Sequence, residues 1–394
     1  MAIADKIVGM MERSSWIRKM FENGAKLKQQ HGADKVFDFS IGNPNVPPPK
    51  EFFDALEETV KLEEPNKHGY MPNAGYPAVR KEVADYVSRE QGVELGVEHV
   101  IMTAGAGGAV NVALKTIMNP GDTVITSTPF FVEYQFYADN HGGSLKLVPT
   151  KEDFDLDVAA IEAAIDATTC ALIINSPNNP TGRVYPESTV RDLAAMLEEK
   201  SREIGRTIYI VSDEPYRKIV YEGVKVPSLL KNYKHTMASA SYSKELSIPG
   251  ERIGWLIIGP EADDAENLAA GAVLCNRIIG FVNAPALMQR VVGRLQGKQV
   301  DVEIYKRKRD ALYEGLTKIG YELYKPEGTF YLFPKAPGGN DIRAVEALTD
   351  ELVLTVPGKG FGSPGYFRIS YCVEDRVIEG SMGGFERAFK KLQE

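Results

Sequence analysis

From about residue 98 the chain alternates short apolar runs with longer stretches in which apolar residues recur at helical spacing. Val100–Thr103, Thr123–Ser127, Leu145–Pro149, Ala171–Asn175, Thr207–Ser212, Met237–Ser241 and Ile253–Gly259 have the length and composition of buried strands. The clearest helix between them is Glu187–Ile204, where Val190, Leu193, Ala194 and Leu197 share one face. Strands that alternate with helices predict an α/β fold, with a largely parallel sheet covered on both faces. The carboxy-terminal third reads differently. A long helical tract to about Gly320 precedes strands at Tyr321–Tyr324, Phe330–Phe333, Leu352–Val356 and Tyr366–Tyr371, and a last helix has Val377, Phe385, Phe389 and Leu392 at core spacing. That order predicts a smaller α+β domain. The proline-rich stretch Asn43–Pro49 is the candidate hinge between an amino-terminal helix and the large domain.

The 394 residues are 43% hydrophobic and 25% charged, so a sizeable core needs neither disulfide nor metal. Lys and Arg total 46 against 54 Asp and Glu, a formal charge of −8, which argues against a surface that tracks nucleic-acid phosphates. Cys170, Cys275 and Cys372 are odd in number and far apart; they draw neither a disulfide framework nor a zinc pair. A reducing compartment is expected. The longest uncharged run, Ala167–Gly182, is too short to span a bilayer and is broken by prolines, so no membrane partner is predicted. The start, Met1-Ala2-Ile3-Ala4-Asp5-Lys6, lacks the pattern of a secretory signal, and the expected location is cytoplasmic.

Familiar nucleotide and hydrolase motifs fail. Gly105-Ala106-Gly107-Gly108-Ala109-Val110 begins as a dinucleotide fingerprint but ends in Val. Gly358-Lys359-Gly360 lacks the spacing and hydroxyl of a P-loop, no Gly-x-Ser-x-Gly occurs, and the five histidines form no His-Glu-x-x-His pair, so no metal is expected. The glycines at 105, 107 and 108 still follow a strand and open a helix, which makes either a tight turn or an anion site.

Ser241-Tyr242-Ser243-Lys244, followed by Arg252, has the parts of a Schiff-base site: a lysine beyond a buried strand, flanked by hydroxyls, with a cation nearby. That cation would depress the amine's pKa and bind a phosphate. Two more clusters sit at strand ends. Asn175-Ser176-Pro177-Asn178-Asn179-Pro180-Thr181-Gly182 is a rigid turn, whether structural or functional. Asp213-Glu214-Pro215-Tyr216 carries a carboxylate that is either a helix cap or a ligand. Open α/β sheets place ligands outside the carboxyl ends of strands.

Taken in order, Gly42, Tyr70, Gly105 to Gly107, Asn179-Pro180-Thr181-Gly182, Asp213 to Tyr216, Ser241 to Lys244, Arg252 and Arg368-Ile369-Ser370 carry a family resemblance. From about Ile17 to its end the chain resembles the class I pyridoxal-phosphate aminotransferases, the fold type I group that includes the aspartate, alanine and aromatic enzymes. The resemblance implies a large cofactor domain over 47–285 and a small domain from both chain ends, 1–46 and 286–394. It implies pyridoxal 5′-phosphate in Schiff-base linkage to Lys244, which, once displaced by substrate, moves a proton between the substrate's α-carbon and the cofactor's C4′. Asp213 would pair with the pyridinium nitrogen, and Asn179 and Tyr216 would hydrogen-bond the phenolic oxygen. Phe131 would stack on the cofactor ring, a core aromatic being the alternative. Backbone at Gly105, Ala106 and Gly107 with Ser241, Ser243 and Arg252 would cradle the phosphate, reached also by Tyr70 of the other subunit in a homodimer. Arg368 would grip the substrate α-carboxylate, with Gly42 and Asn179 beside it.

The implied reaction moves an amino group from an L-amino acid to a 2-oxo acid, with 2-oxoglutarate the expected acceptor, by a ping-pong route. A carbon–sulfur β-lyase on the same fold is the alternative, and a non-enzymatic cofactor-binding regulator a more remote one. Arg277 is either a second cation for an acidic substrate or an ordinary surface or interface arginine. Trp16 and Ile17 either close over an apolar or aromatic substrate or form a packed helix end.

Overall fold

The computed structural model describes residues 3–13 and 24–393, so Trp16 and Ile17 lie outside the described residues. In chain order its strands are β1 (Phe37–Asp38), β2 (Val100–Thr103), β3 (Thr123–Thr128), β4 (Ser144–Pro149), β5 (Thr169–Asn175), β6 (Tyr209–Asp213), β7 (Thr236–Ser241), β8 (Gly254–Ile258), β9 (Tyr331–Leu332), β10 (Val353–Leu354), β11 (Val356–Pro357) and β12 (Phe367–Ser370). Every strand predicted between residues 100 and 259 forms, and together they make a seven-stranded sheet in the order β2-β8-β7-β6-β5-β3-β4. All neighbours pair in parallel except β8, which runs antiparallel to both β7 and β2. The carboxyl ends of β2, β3, β5, β6 and β7 and the amino end of β8 therefore share one edge.

The apolar runs are continuous because both faces of the sheet are buried. Ile125, Leu172, Ile174 and Ile210 pack on one side against Val190, Leu193 and Leu197 of helix Glu187–Ile204. Their neighbours Val124, Ile173 and Val211 point the other way, toward helix Gly105–Ile117 and helix Ala265–Ile278. Helix Glu187–Ile204 ends where Gly205 adopts φ 67°, a left-handed cap that favours glycine.

A separate core gathers residues from both ends of the chain. Phe39 packs with Phe330, Leu332, Leu354, Phe367, Ile369 and Phe385, under helices Val302–Ile319 and Asp375–Gln393. β11, β12 and β9 form an antiparallel sheet, while β1 pairs in parallel with β10. Three expectations need correction here. The helical tract before Gly320 is broken into Ala265–Ile278, Ala286–Gly293 and Val302–Ile319, with Gly280, Pro285 and Gly297 in the breaks. Leu352–Val356 is two short strands paired to different partners. Tyr321–Tyr324 is no strand: its apolar alternation reflects docking on the last helix, where the Tyr321 hydroxyl donates to Phe385 O at 3.0 Å and its ring meets Phe389 edge-on at 4.9 Å. Asn43–Pro49 is irregular chain, as its prolines require.

Arg309 ties this core to the segment that follows β6. It is 1% exposed, lies over the Tyr221 ring at 4.4 Å, and donates to Glu222, to Asp310 at 2.7 Å and to Pro326 O at 2.9 Å. Arg309→Met leaves the carbonyl and carboxylates without their donor, while its carboxylate partners keep some access to water. The expected loss is about 2–3 kcal/mol, read as a lower denaturant midpoint with unchanged slope.

Candidate active site

The shared edge of the large sheet, capped by β12 and the segment after β1, encloses a cavity of about 400 Å³. Each sheet strand delivers a group as it ends. Thr103 of β2 leads into the turn at Gly105, whose φ of 75° is one a side chain would strain. Phe131 follows β3, Asn179 follows β5, Asp213 ends β6, and Ser241, Ser243 and Lys244 follow β7. Arg252 precedes β8, whose reversal brings it to the same rim. Ala106, Gly107, Phe131, Asn179, Asp213 and Tyr216 line the cavity, as do Ser241, Ser243, Lys244 and Arg252, with Gly42 and Arg368 from the other core.

The turn after β2 has the form of an anion cradle. A Cβ at Gly105 would stand 2.9 Å from Arg252 Nη2, and one at Gly107 would stand 2.9 Å from the Tyr137 hydroxyl, so added side chains would fill the space. The helix beginning at Gly105 turns its free N–H groups to this point, beside the Arg252 guanidinium. Ser241 and Ser243 are buried next to it. A phosphate fits these groups, and pyridoxal phosphate fits the whole cavity.

Lys244 Nζ donates to Gly42 O at 3.1 Å and lies 5.3 Å from the Phe330 ring centre. Burial pushes its pKa down to about 8; Arg368 and Arg252 act in the same direction, and the buried Cys372 opposes them. Asp213 is buried at the end of β6 and accepts from Tyr134 at 2.6 Å and from Ser239 at 3.1 Å. Burial pushes its pKa up to about 6, against the pull of those two donors, and neighbouring Glu214 adds to the rise.

Arg368, on the central strand β12, lies between the rings of Tyr331 and Phe361, at 4.5 and 4.7 Å. Its Nη1 donates to Asn179 Oδ1 at 3.2 Å and its Nη2 to Ser40 O at 3.0 Å, while Nε is buried without a partner. Tyr216 and Tyr331 hydroxyls are 3.0 Å apart. A Cβ at Gly42 would run into the Tyr331 hydroxyl, which explains a glycine at that position.

Of the predicted residues, Gly105 forms the turn behind the cavity lining, and Tyr70 and Arg277 stand outside it. Tyr70 is 92% exposed, on a loop held by Asn283 Nδ2 to Pro72 O at 3.0 Å and by Asn276 Nδ2 to Asn73 O at 3.1 Å. Arg277 is exposed on helix Ala265–Ile278. Sequence reasoning missed Tyr134, Tyr137, Tyr331, Phe361 and Glu133, which all border the cavity. Tyr134 and Tyr137 had a usable signal: they lie one helical turn apart just after Phe131.

The model of the family "Aminotransferase class I and II" matches residues 34–380. A probable aspartate aminotransferase of Methanocaldococcus jannaschii is 30% identical over 361 residues, 90% of this chain and 93% of that protein. The solved structure of an amino transferase from Eubacterium rectale superposes with a TM-score of 0.97 at 40% identity, covering 100% of both chains. The aspartate aminotransferase of Thermus thermophilus with maleate gives a TM-score of 0.84 at 28% identity, over 94% of this chain and 96% of that one. These likenesses favour transamination over the carbon–sulfur lyase and regulator alternatives. No helix among the described residues is long and apolar enough to cross a membrane. The chain belongs to the class I and II aminotransferases and is a fold type I, pyridoxal-phosphate-dependent transaminase that moves an amino group from an amino acid to a 2-oxo acid.

Proposed function

We propose that Lys244, Asp213 and Tyr216 carry the chemistry of this transaminase, with 2-oxoglutarate as acceptor in a ping-pong cycle. The observation that carries this reading is the convergence of Lys244, Asp213 and Arg368 on one cavity, with neutral groups as the hydrogen-bond partners of each. Pyridoxal phosphate, when bound, supplies an aldehyde that condenses with amines and a ring that takes up the electron pair left by a broken C–H bond.

The chain's own groups then divide the work. Lys244, poised near neutrality, anchors the cofactor and later acts as the base at the substrate's α-carbon. Asp213 meets the ring nitrogen. Asn179 and Tyr216 face the phenolic oxygen; burial and the adjacent Tyr331 hold the Tyr216 hydroxyl well above its ordinary pKa, so it remains a donor. Phe131 covers the ring. Gly105, Ala106 and Gly107 with Ser241, Ser243 and Arg252 hold the phosphate.

Arg368 takes the α-carboxylate in a two-pronged pair, beside Gly42 and Asn179, and so fixes the direction of the bond to be broken. Its place in the core built from both chain ends supports 47–285 as one domain and 1–46 with 286–394 as the other. A homodimer in which Tyr70 reaches the partner's phosphate site is supported by that tyrosine's exposure and by the exposed Leu274 and Ile278 on the helix whose Asn276 holds its loop. Arg277 lies between them on that helix, where it would be available to a second copy. The buried free cysteines suit a cytoplasmic setting.

Borohydride treatment of the holoenzyme should fix pyridoxal phosphate on Lys244, located by peptide mass, and Lys244→Ala should show no such adduct; an undiminished adduct in the variant rejects the assignment. Because the Lys244 pKa is lowered to about 8, its nucleophilic neutral form gains as pH rises. The rate at which cofactor attaches to apo-protein should climb with pH around a midpoint near 8, followed by absorbance after mixing. Arg368→Ala removes two charge-assisted hydrogen bonds to substrate, and steady-state kinetics should show kcat/KM down by about a hundredfold or more, mostly through KM.

A further inference from the structure

Asp213 is buried at the centre of the site, and no cation figures among the groups that act on its charge. Its two carboxylate oxygens instead receive one hydroxyl each, Oδ2 from Tyr134 at 2.6 Å and Oδ1 from Ser239 at 3.1 Å. Its backbone carbonyl accepts Asn175 Nδ2 at 2.8 Å, so main chain and side chain are both held. The Tyr134 ring cannot swing aside easily: it is 1% exposed, meets Phe131 edge-on at 5.5 Å and lies 6.4 Å from the Tyr137 ring.

We infer that Tyr134 is a positioning residue that keeps the Asp213 carboxylate ionised and aimed at the cofactor's ring nitrogen, an inference that rests on Asp213 being the partner of that nitrogen. A buried carboxylate without a cation keeps its charge only through its hydrogen-bond donors. Around Asp213 those are Tyr134 from helix Glu133–Asn140 and Ser239 from β7; Glu214, the next residue, opposes ionisation, and Tyr137 stands one turn along the helix. Ser239 is the longer bond and also donates to Ser212 O at 3.2 Å, so the larger share falls to Tyr134. Without the Tyr134 hydroxyl, burial and Glu214 act against a single weak donor. The carboxyl then holds its proton to higher pH and is free to turn, and a protonated Asp213 gives up its ion pair with a protonated ring.

The test uses full-length protein stripped of cofactor and compares equilibrium binding of pyridoxal phosphate with that of its 1-deaza analogue, which lacks the ring nitrogen, across pH. Wild-type protein should prefer pyridoxal phosphate. Tyr134→Phe should lose about tenfold of that affinity near neutral pH, with the midpoint of its pH dependence moved upward and affinity for the analogue unchanged. Ser239→Ala should shift both readings the same way by less, and it carries the test should Tyr134→Phe not fold. If the hydroxyl is merely structural, Tyr134→Phe weakens both ligands alike with the midpoint unmoved, and the inference fails. Equal wild-type affinity for the two ligands would instead overturn Asp213 as the nitrogen's partner, and this inference with it.

Discussion

Asp213, Lys244 and Arg368 bring charge into one enclosed cavity, and the hydrogen bonds they make there run to hydroxyls, carbonyls and an amide. Charge removed from water without an opposite charge is costly, and the site shows how the cost is met. Burial moves both Asp213 and Lys244 toward their neutral forms, to about 6 and about 8. Arg368 cannot follow that route and is held between two aromatic faces instead. A ligand with a phosphate, a protonatable ring nitrogen and a carboxylate complements each of these groups. A ligand that brings those opposite charges binds the folded chain, which makes binding a contribution to folding stability.

The sheet topology decides which residues can share that burden. Lys244 and Arg252, eight positions apart, meet because β8 reverses direction: Lys244 leaves β7 and Arg252 enters β8 at the same edge. The second core meets this edge through packed rings, Phe330 and Tyr331 against Tyr216, and through a few bonds. Lys244 reaches Gly42 O, Arg368 reaches Asn179, and the Tyr216 hydroxyl meets that of Tyr331. Each joins a group from the large sheet's rim to one from the segments near the chain ends, so Arg368 and Lys244 are tied across to the opposite core by polar contacts as well as by the packing around them. Polar contacts of this kind can be exchanged for a ligand's, whereas packed apolar surface cannot.

Much of this was legible in the sequence, for an identifiable reason. Strands buried on both faces write themselves as apolar runs, and the turns that follow must solve steric problems with few residue types. Gly105 and Gly42 are glycines because a side chain would strain the backbone or strike Tyr331, and Asp213 stands out as a carboxylate beside a buried strand. Tyr331 and Phe361 stayed hidden because each is also a well-buried aromatic, and periodicity cannot separate a ring that packs from one that also faces a charge. Tyr321–Tyr324 misled in the opposite sense: a short apolar segment read as a strand, where its tyrosine instead docks on the last helix. Tyr70 is informative only as an exposed aromatic, which one chain cannot explain.

Charge counting along the cavity wall also bears on which substrates the site can take. Arg368 has the donors for one carboxylate, and Arg252 stands beside the glycine turn. The remaining wall, among the described residues, includes Ile41, Val110, Phe131, Tyr137 and Phe361, together with Glu133, whose pKa is raised by burial. That lining suits an apolar or aromatic side chain and offers a distal carboxylate no cation of its own. An acidic amino acid, or 2-oxoglutarate as acceptor, carries a second carboxylate to which these residues offer no counter-charge.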